Sequence, residues 1–183
     1  DNESRNKASP SNTDIIVVGT LTFLTLFVFG GAARFEFVDL DHHYYVGNPH
    51  VQDGLTPENV RWALTSVVGS NWHPVTMLAH MTVHQLIGAS SAAHHLANVF
   101  LHLANALLVF AWLRGATGAS WRSGAVAALF ALHPLRVESV VWTAELKDLL
   151  STFFALLAIG AAFSGVSDGP PSVSVTSWPV TRS

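Results

Sequence analysis

Asp39 and Asp41 stand immediately before His42, His43, Tyr44 and Tyr45. Carboxylates beside imidazoles and phenols can bind Mg²⁺ or Mn²⁺, or supply a general base. Asp39, Asp41 and His42 are therefore candidate ligands for a divalent cation, with a solvated turn as the plain alternative. Glu138, Glu145 and Asp148 are separated by seven and three residues. On a helix that starts by Glu138 they fall within about 80° of one another, at about 100° per residue. Arg136 and Lys147 project from the opposite side of that wheel, and His133-Pro134 precede it. Three carboxylates on one face could bind a metal, hold a base or pair with cations of other segments; a solvated helix end carries the same pattern.

Histidines supply two further patterns. Ser91, His95, Asn98, His102 and Asn105 recur at spacings of 4, 3, 4 and 3, which is a single helical face. Such a face serves either as interhelical hydrogen bonding or as the lining of a wet cavity. His80 and His84 stand four apart, with His73 two turns before His80. The spacing suits zinc, but His80 to His84 lacks the glutamate of the metalloprotease motif and no third ligand is fixed.

Several chemistries are excluded by what the sequence lacks. It has no cysteine, hence no disulfide, thiolate nucleophile or cysteine-ligated zinc. No phosphate loop, dinucleotide fingerprint or hydrolase elbow is present. A formal net charge of −3 gives no basic character, so nucleic acid is not an expected partner.

The elements that must position these residues are read from the charges. Only 11% of the 183 residues are charged and 50% are apolar, with a mean hydropathy of +0.38, whereas soluble domains carry about 25% charged residues. Nineteen uncharged residues separate Asp14 from Arg34, and no Asp, Glu, Lys or Arg lies between Arg61 and Arg114. The expected fold is all-α, a polytopic membrane helical bundle of about four transmembrane helices. The spans are placed at residues 14–33, 91–113, 120–135 and 141–163, after a cytoplasmic tail at 1–13. A cleaved signal peptide is the alternative for the first of them. Arg5, Lys7, Arg114 and Arg122 orient the chain, so that the loop 34–90 faces the periplasm or a lumen. Two short interfacial helices are expected in that loop. One starts at Thr56-Pro57-Glu58 and runs to about Val68; the other runs from Asn71 or His73-Pro74 to Gly88. Trp62 and Trp72 are the expected aromatic anchors. Residues 164–183 read as an unstructured tail.

The strings FVDLDHHYYVGNPHVQDGLT, NWHPVTMLAH, HHLANVFLHLANALL and ALFALHPLRVESVVWTAELKDLLS occur in this order between residues 35 and 163. Together they resemble the amino-terminal part of the membrane glycosyltransferases that join a C-superfamily core to tetratricopeptide repeats, the endoplasmic-reticulum O-mannosyltransferases among them. The resemblance implies sugar transfer, most often inverting, from a polyprenyl-phosphate-linked donor to a protein or lipid hydroxyl. It places the chemistry on the periplasmic or lumenal face of a bacterial inner membrane or the endoplasmic reticulum. It assigns the catalytic base to Asp41, the first position of the family's acidic pair, whose second acid is replaced here by His42. His133, Pro134 and Glu138 would lie beside the donor phosphate, and Glu145, Lys147 and Asp148 where the family has a charged residue followed by Asp. The family's later spans and repeats are missing, so the resemblance also implies a truncated copy.

In such a reaction an acceptor hydroxyl needs a base, and a phosphate leaving group needs cations or a metal. His73, His133 and Arg136 are candidates for phosphate or acceptor contacts, with Glu138 and Asp148 orienting them. Two other classes compete with the enzyme: an inactive membrane scaffold, and a small transporter built on the His/Asn face.

Overall fold

The computed structural model describes residues 10–37 and 43–167, with side chains through 162. Among these residues every named element is helical. In chain order they are α1 (Asn12–Phe29), a 3-10 turn (Gly30–Arg34), α2 (Pro49–Gln52), α3 (Pro57–Thr65), α4 (Pro74–Leu86), α5 (Ser91–Thr117), α6 (Ser120–Leu132), α7 (Arg136–Val141), a second 3-10 turn (Thr143–Glu145) and α8 (Leu146–Ser167). Two stretches, Asn12–Arg34 and Ser91–Thr117, are long and apolar enough to cross a membrane.

Local chemistry starts and stops these helices. Ser11 accepts from the Asp14 backbone N–H while Asp14 accepts from that of Ser11, a capping box that opens α1. Thr56 caps α3 through the Asn59 N–H, with Pro57 at the first helical position, as its sequence suggests. Asn48 and Pro49 use the same device to start α2, a one-turn helix that hydrophobic periodicity alone does not reveal. Gly118 closes α5 in the left-handed region at φ 69°, its N–H on the Arg114 carbonyl at 3.0 Å, and turns the chain directly into α6.

Helix α5 is the centre of the fold and packs against α1, α4, α6, α7 and α8. Leu21 meets Phe110 in one core cluster and Phe29 meets Val99 in another, so α1 runs antiparallel to α5. A third cluster, built on Tyr45, Val51, Ala63, Met77 and Met81, gives the segment before α5 a core of its own. Gly124 brings α6 close to α1. A Cβ there would stand 2.7 Å from Val17 Cγ1, a contact that requires one helix to move.

Beside these apolar clusters the bundle buries a polar face and leaves many apolar side chains outside. The polar face of α5 is inside, with His95, Asn98, His102 and Asn105 at most 2% exposed. Ile15, Ile16, Phe23, Phe27 and Val28 on α1, Phe100 on α5, Leu129 on α6 and Phe154 on α8 are outside and exposed. Three donors of the buried face end on backbone carbonyls of neighbouring elements: Asn98 Nδ2 on Trp142 (3.0 Å), His102 Nε2 on Ala131 (2.9 Å) and Asn105 Nδ2 on Leu149 (3.0 Å). Such bonds contribute roughly 0.5–1.5 kcal/mol each.

Four expected boundaries differ. The last span does not run unbroken from Glu138: α7 ends at Val141, Trp142 adopts an extended conformation, and α8 begins only at Leu146. The carboxylate wheel drawn through Glu138, Glu145 and Asp148 is thus interrupted, and at the break Asn98 Nδ2 and the Glu145 N–H both bind the Trp142 carbonyl. Helix α6 has 13 residues, about 20 Å, shorter than a hydrocarbon core of about 30 Å. Helix α3 ends at Thr65 and not near Val68, since Val68 and Asn71 pair across a tight turn at Gly69 and Ser70. At the other end α8 continues to Ser167, so residues 164–167 of the expected tail are helical; residues 168–183 lie outside the described set.

Candidate functional site

Ring systems from four parts of the chain converge at the start of α5. His73 and Pro74 open α4; proline fixes the first helical position, and the His73 ring takes no part in capping. The Tyr45 ring lies 5.5 Å from His73 and 5.5 Å from His80, two turns into α4. His80 in turn faces His94 of α5, Nδ1 to Nδ1 at 3.4 Å. Phe37 covers His94 and His95 at 5.9 and 6.1 Å between ring centres.

The corner between α7 and α8 adds charge to this cluster. Lys147 Nζ donates to Glu145 Oε1 at 2.8 Å, with the Glu145 side chain 15% exposed. Lys147 also senses Tyr45, and its charge reaches His73. Burial, followed by the Lys147 charge, pushes the His73 imidazole below its ordinary pKa. Both nitrogens of that ring are buried without a hydrogen-bond partner, which leaves a neutral imidazole with its donor and its acceptor unspent. His80, fully buried, is pushed down to about 3 by desolvation, with His94 and His73 adding to the effect.

The remaining candidates form a second locus at the corner between α6 and α7. The Arg136 guanidinium lies 4.4 Å over the Phe130 ring. It lines a pocket of about 370 Å³ with Leu129, Phe130, His133 and Leu135. His133 is exposed and its Nδ1 accepts from the Leu135 N–H at 3.3 Å. Glu138 on α7 and Asp148 on α8 are both exposed, and Glu145 senses Asp148 across the first turn of α8. The seven expected substrate contacts are thereby divided. His73, Glu145 and Lys147 come together, with Asp148 at their edge. His133 and Arg136 form the other locus, two residues before Glu138.

Asp39, Asp41 and His42, the expected base and metal ligands, lie outside the described residues. On either side of them the chain is held by the ring cluster, Phe37 on His94 and His95, Tyr45 on His73 and His80. Among the described residues no group of three His, Asp or Glu side chains is arranged to hold a metal. His80 and His84 do not act as a pair, because His80 turns to His94.

Sequence reasoning did not single out Tyr45 or the partnership of His80 with His94. Nothing in the sequence separates Tyr45, 7% exposed, from Tyr44, 40% exposed. The expected anchors also part company: Trp62 stacks on His50 at 4.3 Å, and Trp72 is 65% exposed with its indole N–H on the Leu64 carbonyl. Comparison with known proteins returns no relative: no family model, no curated protein and no solved structure matches the chain.

Proposed function

We propose that the chain is the membrane-embedded amino-terminal part of a glycosyltransferase that takes a sugar such as mannose from a polyprenyl-phosphate donor. The observation that carries this reading is the neutral His73 beside the Lys147–Glu145 pair and Tyr45, at the point where the described chain enters and leaves the Asp39–Asp41 segment. A cation, a neutral imidazole and a carboxylate set side by side suit a reaction that moves one proton and releases one phosphate. The exposed apolar side chains of α1, α5, α6 and α8 and the buried polar face of α5 support a multi-pass membrane setting. Four spans with the cluster on the periplasmic or lumenal side belong to the same proposal.

In this reaction the acceptor oxygen, from a protein or lipid hydroxyl, attacks the anomeric carbon. Its proton passes to the Asp41 carboxylate, and the bond from the anomeric carbon to the phosphate oxygen breaks. Polyprenyl phosphate leaves with the electron pair. Arg136, its guanidinium carbon 4.4 Å over the Phe130 ring, supplies N–H donors to the phosphate. Lys147 neutralises developing charge nearer His73, and Glu145 fixes where its ammonium sits.

The test is sugar transfer from a radiolabelled polyprenyl-phosphate sugar in membranes expressing the whole protein. Asp41→Asn is expected to abolish transfer with expression unchanged. Undiminished transfer would remove Asp41 as the base, and transfer no higher than in membranes lacking the protein would move the assignment to the scaffold reading. Asn98, His102 and Asn105 already spend donors on backbone carbonyls, which supports interhelical attachment over pore lining for that face.

A further inference from the structure

A further cavity among the described residues lies away from both loci. It is an open groove of about 660 Å³ in the crease between α1 and α5, lined by Ile15, Val18, Leu107, Phe110 and Ala111. One end is closed by an ion pair, Arg114 Nε on Asp14 Oδ1 at 2.9 Å. Both lie at the end of the bundle opposite the His73 cluster, since α5 runs from Ser91 at that cluster to Arg114. Ile15 is 59% and Val18 38% exposed, so the groove opens onto the same apolar exterior that carries Ile16, Phe23 and Phe27.

We infer that this groove is a binding site for one phospholipid of the inner leaflet, with an acyl chain along Ile15, Val18, Leu107 and Ala111 and a phosphate–ammonium headgroup on the Asp14–Arg114 pair. The proposal rests on the membrane reading above, but not on the glycosyltransferase chemistry. Two features select the occupant. The apolar walls suit a hydrocarbon chain, which gains from leaving water or from displacing looser packing. The polar end has one cation and one anion, neutral as a pair, so a headgroup carrying both charges complements it better than a net-anionic one. The Asp14 bond uses the Arg114 Nε–H, and the guanidinium fork has further N–H donors of the geometry that phosphate accepts. Asp14 meanwhile accepts from the Ser11 N–H and hydroxyl, both at 2.9 Å from Oδ2, and from the Ser120 side chain, so its carboxylate is fixed in place beside Arg114 as the negative end of the pair.

The experiment is native mass spectrometry of the full chain, purified in mild detergent and re-exposed to defined phosphatidylethanolamine or phosphatidylglycerol. Carbonate extraction of the source membranes is run in parallel. The expected result is one retained phosphatidylethanolamine per chain, at least tenfold preferred over phosphatidylglycerol. Ala111→Phe, which fills the groove, should abolish retention, and Phe100→Leu on the exposed face outside it should not. Arg114→Gln should remove the headgroup preference while leaving some lipid bound. Retention unchanged by Ala111→Phe, equal retention of both lipids, or dimers cross-linked through Ile15→Cys would overturn the proposal. Release of the chain by carbonate would instead overturn the membrane reading on which it rests.

Discussion

His80 and His94 meet ring to ring, Nδ1 to Nδ1 at 3.4 Å, across the contact between α4 and α5. At that distance one nitrogen must carry the proton and the other accept it, so the contact depends on the pair holding a neutral tautomeric match. The pairing ties the segment before α5 to the bundle.

Acid should therefore loosen this contact. His80 is neutral when folded, down to about pH 3, whereas an unfolded imidazole protonates near 6.5. The unfolded state then binds the extra proton, and stability falls as pH drops below about 6.5, by about 1.4 kcal/mol per unit for one such group. Above 6.5 the contribution is fully present. Denaturation midpoints in detergent from pH 8 to pH 4 are expected to fall along this slope, and His80→Phe to flatten it. An identical slope in the variant would assign the acid sensitivity to other groups.

Gly124→Ala should strain the crossing of α1 and α6, because the new methyl meets Val17 Cγ1 at 2.7 Å and a β-branched side chain has few rotamers to offer. A loss of about 1–3 kcal/mol is expected. Val17→Ala in the same chain should restore most of it, and a double-mutant cycle measures the coupling. Additive losses would show that the two helices do not touch there.

Arg136→Lys keeps the charge but loses the guanidinium that lies 4.4 Å over Phe130. Transfer activity should fall about tenfold, about 1.4 kcal/mol, mainly as a higher KM for the lipid-linked donor. A fall confined to the acceptor KM would place Arg136 on the other substrate.

The absence of cysteine makes accessibility labelling direct. Thr65→Cys and Glu138→Cys are expected to react with an impermeant maleimide from one side of the membrane, and Ala116→Cys from the other. All three positions are exposed. Opposite sides for Thr65 and Glu138 would remove the placing of both loci on one face of the membrane.

How far these features could be read from the chain varies with the range of the forces that set them. The start of α3 is local, since Thr56, Pro57 and Asn59 supply the cap themselves, and the sequence announces it. The inward His/Asn face of α5 is equally legible, because its spacing of four and three allows one face only. The break at Trp142 is not. No proline or glycine marks it; the amide that holds the carbonyl there comes from Asn98, 44 residues earlier. The carboxylates of Glu138, Glu145 and Asp148 were separated by that distant bond, and His80 was turned from His84 to His94 in the same way.

The bond from Asn98 to Trp142 thus reaches beyond the two helices it joins. The bend it pins sets the height and heading of the next few residues, and Glu145 and Lys147 ride on that bend. Replacing Asn98 with leucine would touch no charged group, yet it would leave the Trp142 carbonyl with the Glu145 N–H alone and loosen the corner on which Lys147 stands. A mid-bundle amide of this kind works as a remote set-screw on the corner that carries Glu145 and Lys147.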